Sequence, residues 1–253
     1  MIRLFRKIRH RLLSENNFSL YILYTSGEII LVVLGILIAL SIDNWNEERK
    51  IMETEHTYLA NLREEFTYNK KELERAMRIN NSNRKGAVEL SKFMGPDIPQ
   101  LTEEEFALMF SETFDEEVQY RPSTGVLSEI ISSGKLAIIK NTTLKAHLAS
   151  WEGAILKIRF QEIEHSNTRL QAYDILKSEG NQRSILHYTY AEEFEIGQTN
   201  FTKGNSHLLR FEKLENQLSS FYITSKWLDD PYYLDLLKNI EEILLIIDGE
   251  IKK

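Results

Sequence analysis

The sequence predicts an all-α protein: one transmembrane helix continuing into a long stalk helix, then an extracytoplasmic helical bundle. Three observations lead there. Apolar residues recur at steps of three and four over long stretches, the helical period. All four prolines (Pro96, Pro99, Pro122 and Pro231) fall outside those stretches, which leaves them free to be helix. The run Ile29 to Ile42, fourteen residues, carries no charge.

As a helix that run covers about 21 Å, short of the roughly 30 Å hydrocarbon core. Leu20–Tyr24 extends it backwards into 23 residues with a single acid. Tyr24 and Trp45 stand about 31 Å apart along a helix, where aromatic rings settle at the two membrane interfaces. A cleaved signal peptide, with Ala39 and Ser41 as the small residues before the cut, is the rival reading. The long leading segment and Glu28 argue against it. Charge supplies the orientation. Arg3, Arg6, Lys7, Arg9 and Arg11 precede the span and outweigh Glu15 and Glu28, while the chain as a whole is −7. The positive-inside rule places the N-terminus in the cytoplasm and the acidic body in the periplasm, anchored in the inner membrane. Residues 2–13 are amphipathic, with Ile2, Phe5, Ile8 and Leu12 in helical period, and are expected to lie on anionic lipid. A mitochondrial presequence is the alternative for this segment. The expected organisation is a basic helix (1–19), a span (20–45), a stalk (46–94) and a bundle (95–253).

Within the span, Gly35 and Ala39 form a small-xxx-small pair, with Gly27 two turns earlier, and such residues let helices approach closely in lipid. Glu28 sits about one turn inside Tyr24. It is expected at the headgroups or in a helix–helix hydrogen bond, with a titrating functional carboxylate as the sharper alternative.

Beyond the membrane, Met52, Leu59, Leu62, Phe66, Leu73, Ala76, Ala87 and Leu90 form a heptad-like, coiled-coil stripe whose gaps hold Glu55, Asn69, Asn80 and Asn83. A break near Asn80–Asn83 and a solvent-facing polar turn are alternatives to buried, register-setting Asn. The helix should end at Gly95-Pro96. Thr102-Glu103-Glu104-Glu105 is a capping box opening a helix to about Glu112. Phe114–Arg121 reads as extended or loop. Residues 124–133 form a helix stopped at Gly134. Asn141 or Thr142 caps a long helix to about Ser178, striped by Leu144, Leu148, Trp151, Ile155 and Ile158 and resuming at Leu170, Tyr173 and Leu176. Ile185–Tyr190 reads as a short strand. Helix returns at 206–228, and Asp230-Pro231 reads as an N-cap followed by Pro at the first helical position. The last helix uses Tyr233, Leu237, Ile240, Leu244 and Ile247. Stripes this long must bury one another, which implies a bundle.

Two stretches resemble a large bacterial family of uncharacterised single-pass membrane proteins. One comprises Gly27-Glu28-Ile29, the run Gly35 to Leu40, and Asn44-Trp45-Asn46-Glu47. The other is Leu127–Leu144. The resemblance implies a membrane-anchored helical protein and carries no known activity or catalytic residues.

Composition narrows the chemistry. Zero Cys excludes disulfides, zinc–thiolate sites, iron–sulfur clusters and a cysteine nucleophile. The net negative charge argues against nucleic acid as a partner. Glu53-x-x-His56 and Glu162-x-x-His165 have the spacing of a di-metal helical bundle, yet Glu is so frequent that chance supplies such pairs. Ser133-Gly134-Lys135 lacks the leading Gly and trailing Ser/Thr of a phosphate loop. No catalytic, cofactor-binding or metal-binding residue is therefore assigned. The expected partners are membrane lipids and a second copy or another membrane protein. The expected role is a non-enzymatic scaffold or interaction protein. A ligand sensor, or a subunit of an ion-driven complex using Glu28, are the alternatives.

Overall fold

The computed structural model describes residues 18–99, 101–193 and 195–252. Among them the regular structure is helical, with no strand. The basic segment with Arg3, Arg6, Lys7, Arg9 and Arg11 lies outside the described residues. The chain divides into two compact units, up to Thr57 and from Tyr58 onwards. Helix α1 (Phe18–Ser91) contributes to both, and no break interrupts it at Asn80–Asn83.

The first unit is the leading part of α1. The second is built from the rest of α1 with α2 (Glu103–Phe114), α3 (Gly125–Ser132), α4 (Thr142–Glu179), α5 (Gln182–Tyr190), α6 (Glu212–Trp227) and α7 (Leu234–Ile251). The local signals explain the boundaries. The Thr102/Glu105 capping box forms as expected, with Glu105 N–H donating to Thr102 Oγ1 and Thr102 N–H to Glu105. The Thr102 N–H and hydroxyl, both donating to the Glu105 carboxyl, hold it below its ordinary range. Asn141, rather than Thr142, caps α4, accepting from Leu144 N–H at 2.9 Å. Gly134 takes φ +72 beyond the end of α3, where a side chain would be strained.

Two sequence expectations are corrected. Residues 185–190 belong to α5 and not to a strand. Asn181 caps this helix through Ser184 N–H, and Ser184 and Ile185 are buried. Asp230-Pro231 does not start a helix. Residues 228–233 form a wider π turn that carries α6 into α7 with Pro231 inside it. The wider turn tolerates a residue that lacks an N–H and would crowd an α turn. Asp230 pairs with Lys226 at 2.7 Å instead of capping.

Packing also redraws the stalk. Leu59, Leu62, Phe66, Leu73 and Ala76 are buried in one apolar cluster with Trp151, Ile240 and Ile247. Ala87 and Leu90 are buried in a second cluster with Phe106, Phe110, Leu176 and Phe221. From Leu59 onwards, the heptad-like stripe is therefore consumed within the chain, which leaves it no surface for a coiled coil with a second copy. Met52, before it, is exposed. At Gly86 the backbone of α2 comes so near that a Cβ would stand 2.8 Å from Thr113 Oγ1.

Candidate functional site

In the first unit, eleven Ile, Leu and Val side chains between Ile29 and Ile42 are 47–71% exposed, on every side of the helix. At about 1 kcal/mol for the half of each side chain still to be covered, water leaves on the order of 10 kcal/mol unrealised, comparable to a whole domain's stability. The segment is long and apolar enough to cross a membrane, as a signal sequence near an N-terminus also is. Its backbone is internally bonded, and the Ser41 hydroxyl donates to Leu37 O at 2.8 Å, so this side chain is satisfied within the helix. Around Gly27 and Gly35 a Cβ would meet nothing within 4 Å, and Ala39 is exposed. Glu28 is half-buried and Trp45 is exposed. The side chain of Tyr24 lies outside the described residues.

In the second unit the notable feature is a buried polar seam between the two apolar clusters. It begins with the segment 115–124, which turns out of α2 and then has no regular structure and no partner strand. Buried backbone groups need partners wherever they go. Here the partners are side chains of α1 and α4. Asn69 takes both sides of Ser123, donating to its carbonyl (2.8 Å) and accepting from its N–H (2.7 Å). Asn83 donates to Glu116 O (2.8 Å) and Arg169 to Phe114 O (3.0 Å). Glu162 accepts from Tyr120 N–H (2.6 Å), while Arg159 donates to Tyr120 O (3.0 Å) and to Glu162 (2.7 Å). Tyr233 O–H also donates to Glu162, at 2.7 Å. One ion pair thus holds the strap at Tyr120 by its N–H and its carbonyl.

The strap delivers its end to a further anchor. Helix α3 has no capping bond from its own Thr124. Glu65 of α1 fills that place, accepting from Val126 and Leu127 N–H and from the Ser123 hydroxyl, all at 3.0 Å. A carboxylate at a helix N-terminus is also favoured by the helix dipole.

The seam's electrostatics follow from burial. Glu162 is 3% exposed, and desolvation raises its pKa, opposed by the Tyr120 N–H, the Tyr233 hydroxyl and Arg159. Burial and the Glu162 charge push the Tyr120 and Tyr233 phenols far up, so both stay protonated. His165 stacks on Phe221 at 4.5 Å and bonds Thr224 through Nδ1 at 2.9 Å. Burial, with Arg169 nearby, lowers its pKa to about 4, so it stays neutral. Asp115 gathers the Tyr173 and Tyr190 hydroxyls. Asn80 exchanges bonds with Ser225, accepting from its hydroxyl (2.7 Å) and donating to its carbonyl (2.9 Å). Arg84 pairs with Asp229 at 2.8 Å.

The sequence placed Glu162 and His165 on one turn, and both are buried there, but their partners are a strap and a packed phenyl ring. Glu53 pairs with Arg49 at 3.0 Å on an exposed surface. Among the described residues no group of three or more His, Asp or Glu is arranged to hold a metal. The seam itself was missed. Its signal was the gap in the inner face of α4 between Ile158 and Ala172, where helical period points residues 162 and 165 inward; Leu170, expected on that face, is instead 46% exposed.

Neither a curated protein nor a solved structure matches the chain. A family model described as a family of unknown function, DUF6090, matches residues 28–161. That stretch runs from the apolar segment of α1 through the strap into the first half of α4 and covers more than half of the chain. The chain therefore belongs to the DUF6090 family of unknown function.

Proposed function

We propose that this chain is a single-pass, membrane-anchored interaction protein, its N-terminus cytoplasmic and its helical domain on the outer face of the inner membrane. The observation that carries the reading is the apolar helix between Ile29 and Ile42, exposed all round and joined by an unbroken helix to a packed domain. Lipid is the solvent that recovers the free energy stored in that surface. Five basic residues before the span, against Arg49 and Lys50 just after it, support the orientation. A non-enzymatic role is supported by the seam, where Glu162, Arg159, Glu65 and the inward Asn residues are each spent on backbone groups or a neighbouring side chain. Gly35 and Ala39 supply a face on which a second span can pack closely.

Two measurements test this. A Cys introduced at exposed Phe201 is expected to react with an impermeant maleimide in intact spheroplasts, because the chain has no other Cys. Protection until the membrane is opened would overturn the orientation. Affinity purification of the full chain from native membranes is expected to recover a stoichiometric second polypeptide or a homo-oligomer. A strict monomer, unchanged by Gly35→Ile with Ala39→Ile, would overturn the association.

A further inference from the structure

Helix α4 is apolar on two sides. Its inner side builds the core, through Leu144, Leu148, Trp151, Ile158 and Leu176. Its outer side carries Gly153, Leu156, Phe160, Ile163, Asn167 and Leu170, all exposed. The four large apolar members are 46–64% exposed. Their spacing alternates three and four without a slip, the pattern of a coiled-coil seam about 26 Å long. In heptad terms Leu156, Ile163 and Leu170 take the d positions, and Gly153, Phe160 and Asn167 the a positions. No other segment among the described residues covers this face.

We infer that the outer face of α4 is the docking site for a second copy of this chain, the two α4 helices lying parallel and in register about a two-fold axis. Self-complementarity is the argument. In that arrangement a residue at g faces the residue five positions on at e of its partner. Glu152 then faces Lys157, and Arg159 faces Glu164, each twice by symmetry. Arg159 already serves Glu162 and the Tyr120 carbonyl, so the Glu152–Lys157 pair is the freer of the two. Lys157 now lies over the Tyr232 ring, 5.2 Å from its centroid, at the rim of the seam. Asn167 meets Asn167 across the axis, and a lone Asn at an a position favours a parallel, two-stranded, in-register pair. The antiparallel register that keeps Phe160 against Ile163 would instead bury Asn167 against Leu156. An apolar surface awaiting lipid or an unrelated protein has no need of charges that complement themselves. The inference goes beyond the membrane-anchor reading, since it holds on whichever side of the bilayer the domain lies.

The test uses the full-length chain in native membranes and again in detergent micelles. Single-Cys variants Ile163→Cys and Leu170→Cys place a thiol opposite its own symmetry mate. Leu245→Cys, 74% exposed on α7, is the control for chance collision between anchored copies. Mild oxidation is expected to convert both α4 variants to disulfide dimers and to leave the control monomeric. In the Ile163→Cys background, Glu152→Lys is expected to cut cross-linking about tenfold, and adding Lys157→Glu to restore it. Cross-linking of Ile163→Cys no better than the control, or equal yields with and without the charge reversal, would overturn the inference. So would an adduct joining Ile163→Cys only to a different polypeptide.

Discussion

Replacing Glu162 by Ala takes one acceptor away from three donors. Two of those donors sit on fully buried residues, the Tyr120 N–H and the Tyr233 hydroxyl, and both donate to Glu162. Each orphaned donor costs about 1–3 kcal/mol. Arg159 is a third exposed and keeps the Tyr120 carbonyl, so it turns to solvent at little cost. The expected loss is about 4 kcal/mol, within the range for breaking one side of a buried pair. For a unit of this size that is a drop in Tm on the order of 10 °C. Glu162→Gln is the informative comparison. Its amide oxygen can still accept from Tyr120 and Tyr233 while its NH2 group faces Arg159, so the loss should be about 1 kcal/mol. The assay is thermal unfolding of the full chain in detergent, followed by helical circular dichroism. The pH dependence carries a second check. Burial raises the folded pKa of Glu162, so the folded state holds this proton more tightly than the unfolded chain does. The stability linked to it is present below the ordinary carboxylate pKa and is lost as pH rises through the folded value. Wild type should therefore gain on Glu162→Gln as the solution is acidified. Equal melting of the Ala and Gln variants, or losses under about 1 kcal/mol in both, would refute the clamp at Tyr120.

Further outcomes follow from the same geometry. His165 titrates near 6.5 when unfolded and near 4 when folded, so its contribution is complete above the first value and lost as pH falls toward the second. About 3 kcal/mol should disappear over that window and be absent from His165→Gln, measured by denaturant unfolding at stepped pH. Glu65→Ala removes the acceptor at the start of α3 and should cost about 2 kcal/mol, with amide exchange accelerating first at Val126 and Leu127. Gly86→Ala gains helix propensity but presses a methyl against Thr113, whose backbone must shift, for a net loss of about 1–2 kcal/mol in thermal unfolding. Leu34→Arg places a charge at the middle of the apolar run, at a cost of about 3 kcal/mol against the roughly 10 kcal/mol gained there, and should raise the share of chain released on carbonate extraction while most stays in the membrane.

What the amino-acid sequence settled alone are features carried by neighbours in the chain. The capping box at Thr102, a cap at Asn141 or Thr142, the stop at Gly134, the apolar run from Ile29 and the buried stripe of α7 each depend on residues within a turn or two. The all-α class follows from them, because helical hydrogen bonds close locally. The tertiary structure decided everything that depends on what stands opposite. Heptad spacing reads the same whether the partner is a second copy or the chain's own later helices, so the stripe from Leu59 to Leu90 could not announce that it is buried within the chain. Asn69 and Asn83 along it could not announce that they serve the strap, whose residues lie 54 and 33 positions further on. Short helix α5 and the π turn at Pro231 belong to the same class, since packing and side-chain pairing there override propensity. Period tells a helix which face to bury, and only the folded chain supplies the surface against which it is buried.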